Sequence, residues 1–415
     1  MSGVRHRTPH WLLLTILAGL GMVGPFSIDT IFPAYASMGA EWDVSALALQ
    51  QLASVYLLSF AVMSLLHGPL SDALGRKPVI LVGSVIYIGS AVGCALAPDL
   101  GVLLVWRAVQ GLSAGAGSII SRAMVRDVFS DVQAQRTMSH IAMIFGLAPA
   151  LAPLVGGWIL GVGHWRDIFW FLAAFGTLLL VLVAFWMPET HPPHARTPFQ
   201  PARLAGSLLE VWRLPAGRRL SVTAMFNFGG QFLYISAAPL FVVQLLGLGE
   251  QDFWVLFLPL IAGMIAGSWA SGRLAGRFSG RRIASVGYAI SLLGAGLNLL
   301  LALFTTGLPW AVLALPVLSF GIAMAFPILT LAMLEEYPTL RGAASSVQSF
   351  VQLIANAAIA GLLAPVLAFS RWSLALGSLL MVAVAQLLWQ NHLRHTTHEP
   401  PASPDAAAYE PTEDL

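Results

Sequence analysis

Asp29 is the residue whose chemistry stands out first. Of the 19 acids in the chain, it alone falls inside a long apolar run, residues 11–33. The others sit in loops, at helix ends or in the C-terminal tail. An ionisable group inside a membrane is costly and is a functional hypothesis by default. Arg107 is its counterpart, a cation within the apolar run 101–121. If both runs are helices crossing a bilayer, Asp29 lies roughly 27 Å from the inner surface. Arg107 then lies roughly 9 Å below the outer one. Those depths put both in the outer third, as partners across a bundle interior. Burial favours a neutral acid and a nearby guanidinium favours its anion. Access from one side, or an arriving ligand, shifts that balance and moves a proton. Such a pair can couple a proton flux to the movement of a solute. Two other readings remain: a purely structural ion pair, and an Asp29 whose side chain reaches the outer interface near Pro33.

Such residues need a membrane scaffold, and the composition supplies one. The chain has 415 residues, 57% hydrophobic and only 10% charged. Soluble proteins carry about 25% charged residues. The chain is therefore read as an all-α, polytopic membrane protein. Runs of about 20 apolar residues give a set of about twelve spans. They lie near 11–33, 47–67, 79–97, 101–121, 138–161 and 167–187, then 220–246, 253–275, 283–304, 309–334, 343–367 and 372–391. The first is longer than a signal-peptide core and is read as a retained span. Pro192, Pro193, Pro198 and Pro201, with several arginines, mark residues 188–219 as a surface linker. The expected organisation is a six-helix bundle over 1–187, a cytoplasmic linker over 188–219, a second six-helix bundle over 220–395 and a disordered cytoplasmic tail over 396–415. With both termini inside, eighteen of the 21 basic residues are cytoplasmic. Arg166 and Arg371 lie outside and Arg107 within a span, so the opposite orientation is disfavoured. The single cysteine, Cys94, excludes an internal disulfide. His392, His395 and His398 are three apart, but no acid or cysteine on that helix joins them, and no metal site is expected.

Between spans 2 and 3 the chain reads GPLSDALGRK, residues 68–77. Gly68, Pro69 and Gly75 suit a tight reversal. Asp72, Arg76 and Lys77 are placed to pair with each other or with helix ends. This spacing resembles the loop between helices 2 and 3 of the major facilitator superfamily of secondary transporters. A second, weaker copy follows span 8, residues 272–282, with Gly276 at the acidic position. The carboxylate's task is therefore assigned to the first bundle alone. Arg107, Gln110 and Gly111 match the superfamily's helix 4 pattern, and Arg126 and Asp127 close that span. With Asp72 and Arg76 they are expected to latch an inner gate. The resemblance further implies that the start of helix 11 faces Asp72 and stabilises it through the helix dipole.

Span 5 contains GLAPALAPLVGGW, residues 146–158. Two prolines and a Gly-Gly pair in one membrane helix demand a bend and a close neighbour. Gly146, Pro149, Pro153, Gly156 and Gly157 resemble the helix 5 signature of the superfamily's exporters, with Ala152 where a glycine is more usual. Together with SIDTIFPA in helix 1, RAMVRDVF in helix 4 and Ser236-Ala-Ala-Pro239 in helix 7, the chain is similar to the bicyclomycin and chloramphenicol resistance family of drug–proton antiporters. The second acid that some of these exporters carry in helix 1 is absent here, where Gly21 and Gly24 stand. The resemblance implies proton-coupled export of a small organic compound across the bacterial cytoplasmic membrane by alternating access. A proton-coupled carrier of a small metabolite on the same fold is the alternative. Tyr56, Gln110, Asn227, Gln231, Tyr234 and Met324 are the expected cavity lining, apolar and sparsely polar, suited to an uncharged or lipophilic ligand. Protons are the coupling ion and no cofactor or metal is expected. The expected partners are the small-molecule substrate and the bilayer. The chain is expected to work as a monomer, without nucleic acid. No nucleophile–base or metal-ligand arrangement within the spans points to an enzyme.

Overall fold

Runs of apolar residues that must satisfy their own backbone hydrogen bonds in lipid fold as helices, and the chain is almost wholly helical. The computed structural model describes residues 9–128, 148–149 and 151–395, apart from the side chains of His10, Arg126 and Ala195. Arg5, Arg7, Gly146 and the expected disordered tail lie outside the described residues. The first half comprises α1 (His10–Asp29), α2 (Tyr35–Trp42), α3 (Ala46–Leu74), α4 (Arg76–Ala95), α5 (Leu100–Val128), α6 (Leu151–Val162) and α7 (Trp165–Trp186). A linker helix follows, α8 (Pro201–Arg213). The second half comprises α9 (Pro215–Ser236), α10 (Trp254–Leu274), α11 (Gly280–Phe304), α12 (Trp310–Leu313), α13 (Leu315–Glu336), α14 (Arg341–Ala358), α15 (Ala364–Leu367) and α16 (Arg371–His395).

Among the described residues, ten helical stretches are long and apolar enough to cross a membrane. The two remaining expected spans differ for separate reasons. The fifth lies partly outside the described residues, leaving α6. The seventh is broken: α9 ends at Ser236 and a π turn runs over Leu240–Leu245. Pro239 lacks the N–H that would pair with the Ile235 carbonyl, which explains the break.

Within the first half α5 packs on α1, α3 and α4, and α4 packs on α7. Within the second, α13 packs on α10 and α11, while α9 packs on α13, α14 and α16. The halves meet chiefly where α3 crosses α14 and the π turn Ile359–Leu363. There Gln51 Nε2 donates to the Gly361 carbonyl at 2.9 Å and Ser54 Oγ to the Ala357 carbonyl at 2.8 Å. Both donors lie near the start of α3, away from the arginine-rich face.

The reversal between α3 and α4 departs from expectation. Gly68 and Pro69 do not turn the chain, because α3 continues through both to Leu74. Gly75 alone makes the reversal, at φ 102° and ψ 153°. That backbone region is essentially reserved for glycine, so one residue does what three were expected to share.

Candidate functional site

Asp29 is the last residue of α1, and the sequence explains why the helix ends there. Pro33 lacks the amide that would bond the Asp29 carbonyl. The chain tightens into a 3-10 turn over Phe32–Ala34 before α2 resumes. Carbonyls in a last helical turn have no following amide, so the Ser27 oxygen is available to another partner. Arg107 takes it: its Nη1 donates to Ser27 O at 2.9 Å and to Gln110 Oε1 at 2.6 Å. Its Nε donates to Leu52 O at 3.2 Å. The guanidinium also lies over the Tyr56 ring, 4.4 Å from its centroid. One fully buried arginine thus fastens α1, α3 and α5. Gly111 permits this, because a Cβ there would overlap the Tyr56 carbonyl oxygen. The Arg-x-x-Gln-Gly pattern is therefore a packing device as well as a charge.

Asp29 is 4% exposed and Arg107 is wholly buried. They share one layer but are not the direct ion pair that matching depths suggested. No Asp29–Arg107 contact closes to 4 Å: Arg107 Nε and Nη1 go to backbone carbonyls and Gln110, and Nη2 makes no hydrogen bond among the described residues. Tyr35 and Tyr56 lie within electrostatic range of both. Ser27 Oγ also meets Tyr87 OH at 2.7 Å.

The helix 5 glycines lie against this layer. A Cβ on Gly156 would overlap the Thr30 carbonyl, one residue beyond Asp29. A Cβ on Gly157 would stand 2.8 Å from the Glu250 carbonyl, in the opposite half. Pro153 is buried beside them and Pro149 is half-buried. So α6 touches the Asp29 end of α1 with one glycine and the partner half with the next. A pocket opens nearby on the same seam, between Phe32, Tyr35, Leu49 and Gln50 on one side and Pro239, Leu240 and Val243 on the other.

At the arginine-rich face Asp72, Arg76 and Asp127 come together in one cluster. Arg76 Nη1 meets Asp72 Oδ1 at 2.5 Å and Ser71 Oγ at 2.6 Å, and Arg76 Nε meets Asp127 Oδ2 at 3.2 Å. Arg126 has no described side chain. Lys77 Nζ donates to the Ala184 carbonyl at 2.8 Å. Asp72 is half-exposed and pairs within its own half, not with the start of α14. Sequence reasoning missed Glu189. Its carboxylate accepts from the backbone amides of Arg76 at 3.1 Å and Lys77 at 3.2 Å, capping α4. Thr190 Oγ1 donates to Asp127 Oδ2 at 3.0 Å and Thr197 N to the Asp72 carbonyl at 3.2 Å. The linker is thus bound onto the motif. A second cluster was also missed: Glu41 accepts from Arg166 Nη1 at 2.6 Å and from Trp165 Nε1 at 2.5 Å, tying α2 to α7.

The six residues expected to line a cavity are packed away in this conformation. Tyr56 and Gln110 hold Arg107. Asn227 Nδ2 donates to the Ile322 carbonyl at 3.2 Å, and Tyr234 OH accepts from Asn298 Nδ2 at 2.6 Å. Gln231 reaches the Met264 sulfur at 3.8 Å, and Met324 is buried. Polar residues at helical spacing signalled an interior, and neighbouring helices fill it. Among the described residues no group of three His, Cys, Asp or Glu side chains could hold a metal ion.

A family profile described as the Major Facilitator Superfamily matches residues 17–360. The chain belongs to the Major Facilitator Superfamily. It is accordingly a multi-pass membrane transporter and not an enzyme. It is 30% identical over 361 residues to the "Bicyclomycin resistance protein homolog" of Haemophilus influenzae, covering 85% of this chain and 89% of that one. It is also 30% identical over 398 residues to "Multidrug resistance protein D" of Escherichia coli, covering 95% and 98%. A crystal structure of a bacterial homologue of the human lysosomal transporter Spinster, inward-facing and occupied, superposes with a TM-score of 0.73. That match is 17% identical and covers 94% of this chain and 98% of the other, so it bears on fold alone. The chain is thus a superfamily transporter related to drug-resistance proteins.

Proposed function

We propose that this transporter exports a small, uncharged or lipophilic organic compound in exchange for protons, from a bacterial cytoplasmic membrane with both termini inside. The observation that carries the proposal is the placement of Asp29. It is a buried carboxylate at a proline-made break in α1, one residue from the point where Gly156 of α6 makes contact. Protonation changes the charge of this layer. Arg107, fixed by three hydrogen bonds, holds a positive charge nearby without neutralising Asp29 directly. Because α6 touches both the Thr30 carbonyl and the partner half, a shift at Asp29 is felt where the halves close. The names of the related proteins support a drug or antibiotic as cargo. The bonds around Asp72, Arg76, Asp127 and Glu189 hold the first half's arginine-side turn rigid as the halves rock.

The test is transport in proteoliposomes with an imposed proton gradient and a panel of antibiotics, dyes and metabolites. A compound that dissipates the gradient with the wild type but not with Asp29→Asn supports both antiport and its carrier. Co-directional movement of compound and proton would replace export by symport. Compounds that equilibrate without moving protons would make the protein a facilitator and Asp29 a structural residue.

A further inference from the structure

The linker helix α8 carries two apolar stripes, and among the described residues protein covers only one. Leu204, Leu208 and Val211 lie on one side of the helix, and α8 packs on α9 and α14. Val211 is buried and both leucines are half-buried. At 3.6 residues per turn, Ala202, Ala205, Leu209 and Trp212 fall within about 80° of arc, rotated about 115° from the first stripe. All four are exposed, Leu209 at 44% and Trp212 at 39%. Exposed apolar side chains on the spanning helices face lipid as a matter of course. α8 is different: at 13 residues it is too short to span, and it lies in the linker that returns the chain from α7 to α9.

Its charges fit the same picture. Arg213 borders the exposed stripe and Arg218 follows in the first turn of α9, while Arg203 lies beside Glu210 on the far side of the helix; all three arginines are exposed. Residues 199–219 hold four arginines and one acid, Glu210. A helix with a docked stripe, a bare apolar stripe and flanking arginines at a membrane face is complementary to an anionic lipid surface.

We infer that α8 lies flat in the membrane interface on the arginine-rich side. The Ala202, Ala205, Leu209 and Trp212 stripe sits at the acyl boundary, and Arg213 and Arg218 contact anionic headgroups. The apolar face enters about 5–10 Å below the headgroups. Because α8 is also packed on α9 and α14, the contact ties the second half to the leaflet surface.

The test uses the full chain in vesicles of phosphatidylcholine, with and without phosphatidylglycerol. An environment-sensitive fluorophore is placed at Leu209→Cys, Trp212→Cys or Glu210→Cys in a Cys94→Ser background. Nitroxide lipids labelled at headgroup depth are expected to quench the Leu209 and Trp212 labels several-fold more than the Glu210 label. Aqueous iodide is expected to show the reverse order. Removing two arginines with Arg213→Gln and Arg218→Gln should shift the docking equilibrium in phosphatidylglycerol vesicles about 30-fold toward the lifted state. Arg213→Lys with Arg218→Lys should restore it, which separates charge from misfolding. Equal iodide quenching at all three sites would overturn the inference. So would labels shielded from iodide yet untouched by nitroxide lipids, which would place a protein surface over the stripe. Indifference to phosphatidylglycerol and to both arginine pairs would remove the anionic headgroups and overturn it as well.

Discussion

Two turns on the arginine-rich face, one in each half, begin from related sequences and end differently. At Gly75 the backbone turns at φ 102°, and a Cβ would stand 2.6 Å from the Glu189 carboxylate and 2.7 Å from the Arg196 guanidinium. At Gly276 the backbone turns at φ 80°, with open space around it. The first turn is fixed by Asp72, Arg76, Asp127 and Glu189, which join the α3–α4 turn, the end of α5 and the start of the linker. The second keeps the reversal and has no carboxylate at the matching position. The interiors show the same asymmetry. Among the described residues, the buried Asp and Arg side chains are Asp29, Arg76 and Arg107, all in the first half. Buried polar groups on the second half's helices include Asn227, Gln231, Asn298, Gln348 and Asn356, which are neutral. The repeat preserves the shape of the scaffold, while charge is handled on one side of it.

That comparison can be broken at several points. The largest expected effect is at Asp29: Asp29→Asn should abolish proton-driven transport while leaving exchange of the compound across vesicles intact, read by isotope counterflow. No neutral substitution at Asn227 or Gln231 should have that signature. Next comes Arg107→Gln, which strips the hydrogen bonds from the Ser27 and Leu52 carbonyls. It should cost about 2–4 kcal/mol of stability, seen as a lower unfolding temperature in detergent; an unchanged midpoint would count against the staple role. The paired turns give a smaller contrast. Gly75→Ala should cost roughly 1–3 kcal/mol for the backbone alone, with displacement of Glu189 and Arg196 added. Gly276→Ala should cost only the roughly 1–2 kcal/mol of a left-handed residue. A larger loss at Gly276 would reverse the comparison. Gly68→Ala should have the smallest effect, a gain of up to about 1 kcal/mol, since Gly68 is mid-helix with nothing near its missing side chain.

Much of this was legible in the sequence because membrane helices write themselves in apolar length. The buried acid, the buried arginine and the glycine pair of α6 were readable for a related reason: each is an exception within an apolar run. Partners across space were not readable. Glu189 sits three residues past Trp186, the end of α7, and nothing local says that it caps α4. The Asp29–Arg107 ion pair was expected from depth alone, but depth does not give the rotation of either helix. The Arg107 guanidinium is held by the Ser27 carbonyl left available at the end of α1, by the Leu52 carbonyl of α3 and by Gln110. The polar residues of the second half were assigned to a cavity because interior position was legible, whereas packing around Asn227 and Tyr234 was not. The turn at Gly68 and Pro69 failed because a proline in a helix interior is tolerated where neighbours fill the gap.

The most direct test of Asp29 as the carrier is proton release on binding. Purified protein in weakly buffered detergent solution would be mixed with the compound found in the vesicle panel, and the pH followed with an indicator dye. The account predicts that wild type releases protons in proportion to the compound bound and that Asp29→Asn binds it with no release. Equal release from Asp29→Asn would place the exchanged proton on another group and contradict the account.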